Sequence, residues 1–147
     1  KIHYGKLVRK QVSLISLEMF PYFYKLYGKR KLSEIAQRIF DFIKQKGVAS
    51  TTFLKKNLNL TGKEKKSEFT KAMDELQATF SVAIVAREKS PKMTYSYDLI
   101  ERWMHKDLIE KALSVRENTA RERIKAKLLE NRAFSNQEDA ETFLKGL

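Results

Sequence analysis

An α+β fold, mainly α, is what this sequence predicts, and three observations carry the reading. Apolar residues recur at helical spacing in several separate stretches. Two short runs, residues 80–89 and 94–100, instead alternate with the period of two that a half-buried strand requires. Across the 147 residues, 42% are hydrophobic and 33% charged, which provides for a real core in one domain, or in one domain plus part of another.

From the N-terminus, "LVRKQVSLIS" (residues 7–16) mixes β-branched and polar residues and reads as a short strand. In "LEMFPYFYKLYGKRK", Pro21 suits the first turn of a helix, and Gly28 ends it. Phe20, Phe23, Tyr24 and Tyr27 fall on one helical face. We read that face as packed on a core, since the segment is short for a membrane-surface anchor. "SEIAQRIFDFIKQKG" is a helix capped by Ser33 and closed by Gly47, with Ile35, Ile39, Phe42 and Ile43 as its stripe. "VAS" is an extended link, and "TTFLKKNL" a short helix with Phe53 and Leu54 inward. Thr61 and Glu64 have capping-box spacing. Beyond them Phe69, Ala72, Met73, Leu76 and Phe80 form the apolar face of a third helix.

In the first strand after it, Val82, Ile84 and Ala86 alternate with Ser81, Ala83, Val85 and Arg87. "SPKM" is a turn, and Tyr95, Tyr97 and Leu99 share one face of the second strand. Helix, link, helix, turn, helix and hairpin, in that order, predict a winged helix-turn-helix over residues 33–99. Residues 1–32 form an N-terminal strand–helix extension, which a preceding domain would share. Residues 100–147 form C-terminal helices: "IERWMHKDLIEKAL", packed through Trp103 and Leu108, then two more helices at the Ser114/Glu117 and Ser135/Glu138 capping spacings. The first residue is Lys, so a further N-terminal part is expected.

Charge narrows the partners. The net charge is +12, with eight Lys/Arg against one acid in residues 1–31, twelve against eight in 32–99 and ten against nine in 100–147. A field concentrated in the first two-thirds attracts polyanions, nucleic acid before an anionic membrane. The chain has no Cys, which excludes disulfides and cysteine-held zinc and suits a reducing, cytoplasmic compartment. No apolar run is long enough to span a bilayer, and there is no signal-peptide pattern.

The third helix holds the sharpest feature. Its first turn carries Lys63, Lys65 and Lys66, although a helix N-terminus disfavours cations by a few tenths of a kcal/mol. At 100° per residue, Lys63, Ser67 and Lys71 lie opposite the apolar stripe. Lys66, Thr70 and Gln77 run along one flank, and Glu64, Glu68 and Glu75 gather on the other. Asp74 falls within the cationic strip, where it would repel phosphate. Cations and hydroxyls are the groups that hold phosphates and reach base edges, and the N-terminal part of this helix is what enters the major groove in a helix-turn-helix. The candidate contacts with double-stranded DNA are therefore Lys63, Lys66, Ser67, Thr70 and Lys71, with Arg87, Lys89 and Lys92 of the hairpin. Lys29, Arg30, Lys31, Lys55 and Lys56 would extend the footprint. Three to five phosphate contacts would give log K a slope against log salt of roughly −3 to −5. A solvated, self-paired helix end is the competing reading.

Catalytic signatures are lacking. His3 and His105 have no recognisable companions and read as packing or surface residues. There is no zinc-ligand spacing, P-loop or nucleophile elbow, and no cofactor is expected.

Two segments resemble a known family. "SLISLEMFPYF" (residues 13–23) is similar to the S-L-L-P-x-E-x-Y-P segment of AlkZ/YcaQ-like winged-helix proteins, through Ser13, Leu14, Ile15, Glu18, Phe20 and Pro21. "YDLIERW" (residues 97–103) resembles the family's Y-D-L-x-E-R. The resemblance covers about residues 7–105. It implies tandem winged helices, DNA binding and, in bacterial members, a glycosylase that removes alkylated bases and unhooks crosslinks. The family's glutamine–apolar–glutamine or aspartate motif belongs to an earlier part of the fold. The run Gln137-Glu138-Asp139 has a charged centre and does not match it, and Lys10 stands where the family often has histidine. The expectation is a DNA-binding module. A fragment of an active glycosylase and a protein-interaction winged helix remain the alternatives.

Overall fold

The computed structural model of the protein describes residues 2–8, 11–28, 31–89, 92–131, 133 and 136–145. Over these residues the chain is mainly helical with small antiparallel sheets, an α+β arrangement. Lys10, Lys29, Arg30, the start of the "SPKM" turn and Ser135 lie outside them.

Strands β1 (Ile2–Val8) and β2 (Gln11–Ser16) pair antiparallel, with Gly5 opposite Ser13 and Val8 opposite Gln11. This corrects the single strand expected over 7–16. The sequence between the two strands, Arg9-Lys10, offers neither the Gly nor the Asn that usually marks a two-residue turn. Helix α1 (Phe20–Tyr27) carries Pro21 in its first turn and ends at Gly28, whose N–H donates to the Tyr24 carbonyl at 2.9 Å. Phe20, Phe23, Tyr24 and Tyr27 are all buried, as their spacing predicts.

A second group of elements follows: α2 (Glu34–Lys46), β3 (Ala49–Ser50), α3 (Thr51–Asn57), α4 (Lys63–Ala78), β4 (Val82–Glu88) and β5 (Thr94–Leu99). The "VAS" link supplies β3, and the sheet order is β3-β5-β4. Ala36, Ile39 and Ile43 of α2 and Leu54 of α3 meet Phe69, Met73 and Leu76 of α4 over this sheet. Gly47 ends α2 at a φ of 91°, a conformation that glycine adopts without steric cost.

Several local expectations fail for identifiable reasons. Phe53 points outward, 45% exposed, and meets the Phe42 ring at 5.6 Å. Gly62, rather than Thr61, is the N-cap of α4, so no capping box forms there. Ser33 holds the N-cap position of α2, but its N–H and hydroxyl both donate to the Glu75 carboxylate of α4, at 2.7 and 2.5 Å. The cap has become a tie between helices. A bulge between Ile84 and Ala86 resets β4, so Arg87 sits directly opposite Tyr95, on the same face as Ile84 and Tyr97.

Past α4 the chain turns at Phe80, which adopts a φ of 54°. Phe80 thus leaves the α4 stripe and enters a second core with Ile15, Phe20, Phe23 and Tyr24. The C-terminal helices α5 (Ile100–Trp103), α6 (Lys106–Ser114), α7 (Glu117–Glu130) and α8 (Gln137–Lys145) close that core through Ile100, Met104, Ile124 and Leu144. The stretch read as one helix is broken at buried Met104, whose backbone is extended. Trp103 and Leu108 pack as expected. Ser114 is the last residue of α6 and its hydroxyl donates to the Lys111 carbonyl, so it caps nothing in α7. Asn136 Oδ1 accepts the Asp139 N–H at 2.9 Å at the start of α8.

The "YDLIERW" segment joins the two cores. Arg102 donates to the Ile43 and Lys44 carbonyls at the end of α2, at 2.6 and 3.2 Å, and is held by Asp98 at 2.8 Å. Glu101 accepts the Tyr24 hydroxyl at 3.2 Å.

His3 is 1% exposed, among the rings of Phe20, Phe80 and Trp103 at 5.8, 5.4 and 5.7 Å, with neither ring nitrogen hydrogen-bonded. Burial pushes its pKa from 6.5 down to about 4. The unfolded chain takes up this proton below pH 6.5, whereas the folded chain refuses it until about pH 4. Stability is therefore lost as the pH falls through that window. Urea unfolding across it should show the native protein losing about 3 kcal/mol more than His3→Leu; parallel curves for the two would refute the assignment.

Candidate nucleic-acid interface

Helix α4 presents three different faces. The first, Phe69, Ala72, Met73 and Leu76, is buried in the core. Lys63, Lys66, Ser67, Thr70 and Lys71 are all exposed, as the helical wheel expects. Among the described residues no ion pair engages Lys63, Lys66 or Lys71, while Lys65 is paired with Glu68 at 3.4 Å. The competing picture of a self-neutralised helix end therefore accounts for only one lysine of the first turn.

The structure divides the cationic strip. Lys71 lines a groove with Lys31, Glu34, Glu68 and Glu75, on the acidic side of the helix. Thr70 turns the other way, into a cleft, and its hydroxyl donates to the Lys66 carbonyl at 2.9 Å. In the hairpin, Arg87, Lys89 and Lys92 are exposed, and Arg87 lies toward the cleft by its register with Tyr95.

Two residues of the strip act differently from their expected roles. Gln77, expected along the flank with Lys66 and Thr70, is 6% exposed. Its Oε1 accepts the Lys6 N–H of β1 at 3.0 Å, and its Nε2 donates to the Met73 carbonyl at 3.1 Å. Asp74 is no bare anion among lysines. It pairs with Lys6 Nζ at 3.0 Å and its side chain is only 15% exposed. Both roles depend on β1, which lies against the C-terminal half of α4, and local spacing carries no signal of a partner so distant in sequence.

The cleft has a volume of about 330 Å³ and lies between β1, α3, α4 and the sheet. Lys6, Lys55 and Thr51 border it, and Phe69, Met73, Ile84, Tyr95 and Tyr97 supply its apolar wall. Lys55 Nζ stands 5.0 Å from the centre of the Phe69 ring, a cation–π contact. Thr51 donates to the Tyr95 carbonyl at 3.3 Å. Burial pushes the Tyr97 hydroxyl up to about 12, so it stays protonated at neutral pH.

His3 is sealed in the core, His105 is exposed ahead of α6, and among the described residues no cluster of acids or histidines has metal-binding geometry. No described helix is long and apolar enough to cross a membrane.

Replacing Gln77 with Leu leaves the Lys6 N–H without its acceptor under partial burial. Urea unfolding should register a loss of about 1–3 kcal/mol; an unchanged midpoint would mean that this bond does not hold the hairpin on α4.

A family model described as AlkZ related matches residues 1–145. No curated protein and no solved structure matches.

Proposed function

The chain belongs to the AlkZ-related family, and from that premise we propose that it is a DNA-binding winged helix-turn-helix module. The family relates it to DNA-repair glycosylases. Residues 33–99 form the binding unit, with α3 and α4 as the helix-turn-helix and β4–β5 as the wing. Residues 1–32 and 100–147 share the other core and brace this unit.

One observation carries the reading: the exposed Lys63 and Lys66 at the N-terminal turn of α4, without a carboxylate partner among the described residues. Lysines left unpaired where the helix dipole disfavours them gain more from phosphate than from their own helix. Ser67 reaches the groove beside them, Thr70 borders the DNA strand from the cleft, and Arg87, Lys89 and Lys92 follow the backbone from the wing. Lys71, among acids, contributes least. Lys6 joins the footprint, its charge shared with Asp74. The described residues are suited to gripping a polyanion, and none of them is assigned a step in base removal.

Fluorescence anisotropy with a short duplex tests the proposal. Lys63→Glu with Lys66→Glu should weaken binding at moderate salt and flatten the salt dependence of log K by about 2. Unchanged affinity would remove α4 from the interface.

A further inference from the structure

We propose that the cleft beside α4 receives one unpaired base of the bound strand, so that the protein prefers DNA carrying an unpaired nucleotide over continuous duplex. The inference rests on the DNA-binding reading and specifies its substrate.

A helix that reads a continuous major groove needs a free flank along much of its length. Here β1 covers the C-terminal half of that flank, where Gln77 is buried under the Lys6 backbone and Asp74 is tied to Lys6 Nζ. Only the first turns of α4 stay open, enough to hold phosphates but with little reach across base edges.

The space that β1 creates has the chemistry of a base site. At about 330 Å³ the cleft falls at the small end of ligand pockets. Its wall carries the half-buried Tyr95 ring, and Arg87 lies opposite Tyr95 on the same face of the sheet. Lys6 and Lys55 stand at other sides. An aromatic wall within a rim of cations is how proteins hold unpaired nucleotides, with the base stacked and its phosphates neutralised outside. Besides Lys6 and Lys55, the polar side-chain groups of the cleft are the Thr51 and Thr70 hydroxyls, each donating to a backbone carbonyl, the Asp74 carboxylate, the Gln77 amide and the hydroxyls of Tyr95 and Tyr97. Such a lining offers both donors and acceptors to a base edge and discriminates weakly among bases.

Anisotropy titrations of the whole chain would compare a paired duplex with the same duplex carrying one bulged adenosine. We expect the bulged DNA to bind roughly tenfold tighter, a modest return for one stacked base. Tyr95→Ala should abolish the preference for the bulged DNA over the paired duplex. Because that variant can lose stability, the wild-type protein is also titrated onto DNA with 2-aminopurine at the bulge, where stacking should change the emission relative to the same base paired. Equal affinity for both duplexes, with no emission change, overturns the inference and leaves the DNA-binding reading standing. Binding to neither overturns both. Adenosine monophosphate competing as strongly as the bulged DNA would assign the cleft to a free nucleotide and also overturn it.

Discussion

Phe80 holds a φ of 54°, a region that costs a residue with a Cβ about 1–2 kcal/mol. The cost is offset because the ring is 1% exposed against His3, Phe20 and Phe23. Burying a phenyl ring contributes about 1.5–3 kcal/mol, and each aromatic pair adds somewhat more. The rest of the fold depends on this turn. Before it, Leu76 belongs to the core of α2–α4; after it, Val82 returns to that core while Ala83 enters the other. Without the reversal at Phe80, α4 would run on and β4 would have only one core to pack against.

Elements with a single repeating period were legible. The stripes of α1, α2 and α4 and the alternation of β5 appear where the residue pattern puts them, because one face of each meets one core. β4 was legible in existence but not in facing, because its bulge changes which side Arg87 occupies. The hairpin β1–β2 was missed because the sequence between its strands, Arg9-Lys10, contains no Gly, Asn or Asp to signal a turn. The break after α5 was missed because neither Gly nor Pro marks it, and burial of Met104 sets the bend. Phe80 fitted the helical period of α4 numerically and yet left the helix, since a count of spacings cannot see a second core.

The polar sites show the same division. Exposure of Lys63, Lys66, Ser67 and Thr70 follows from the helical wheel alone. What happens to Asp74, Gln77, Ser33 and Glu75 does not, since their partners lie 68, 71 and 42 positions away. Each of these four looked like surface or capping chemistry, and each proves to be a fastening between elements. One of the two segments quoted for the family resemblance behaves likewise: Asp98, Glu101 and Arg102 fasten α2 and α1 to the end of the sheet.

The two cores differ in how far apart along the chain their members lie. One is assembled within residues 32–99, while the other joins Ile15 to Leu144. A ribosome releases the chain from its N-terminal end. The first core can therefore set while synthesis continues, but the second cannot close until α8 has emerged. During that interval the aromatic face of α1 has no C-terminal helices to cover it. A pause in translation within the last third would leave the nascent chain with one finished half and one adhesive half.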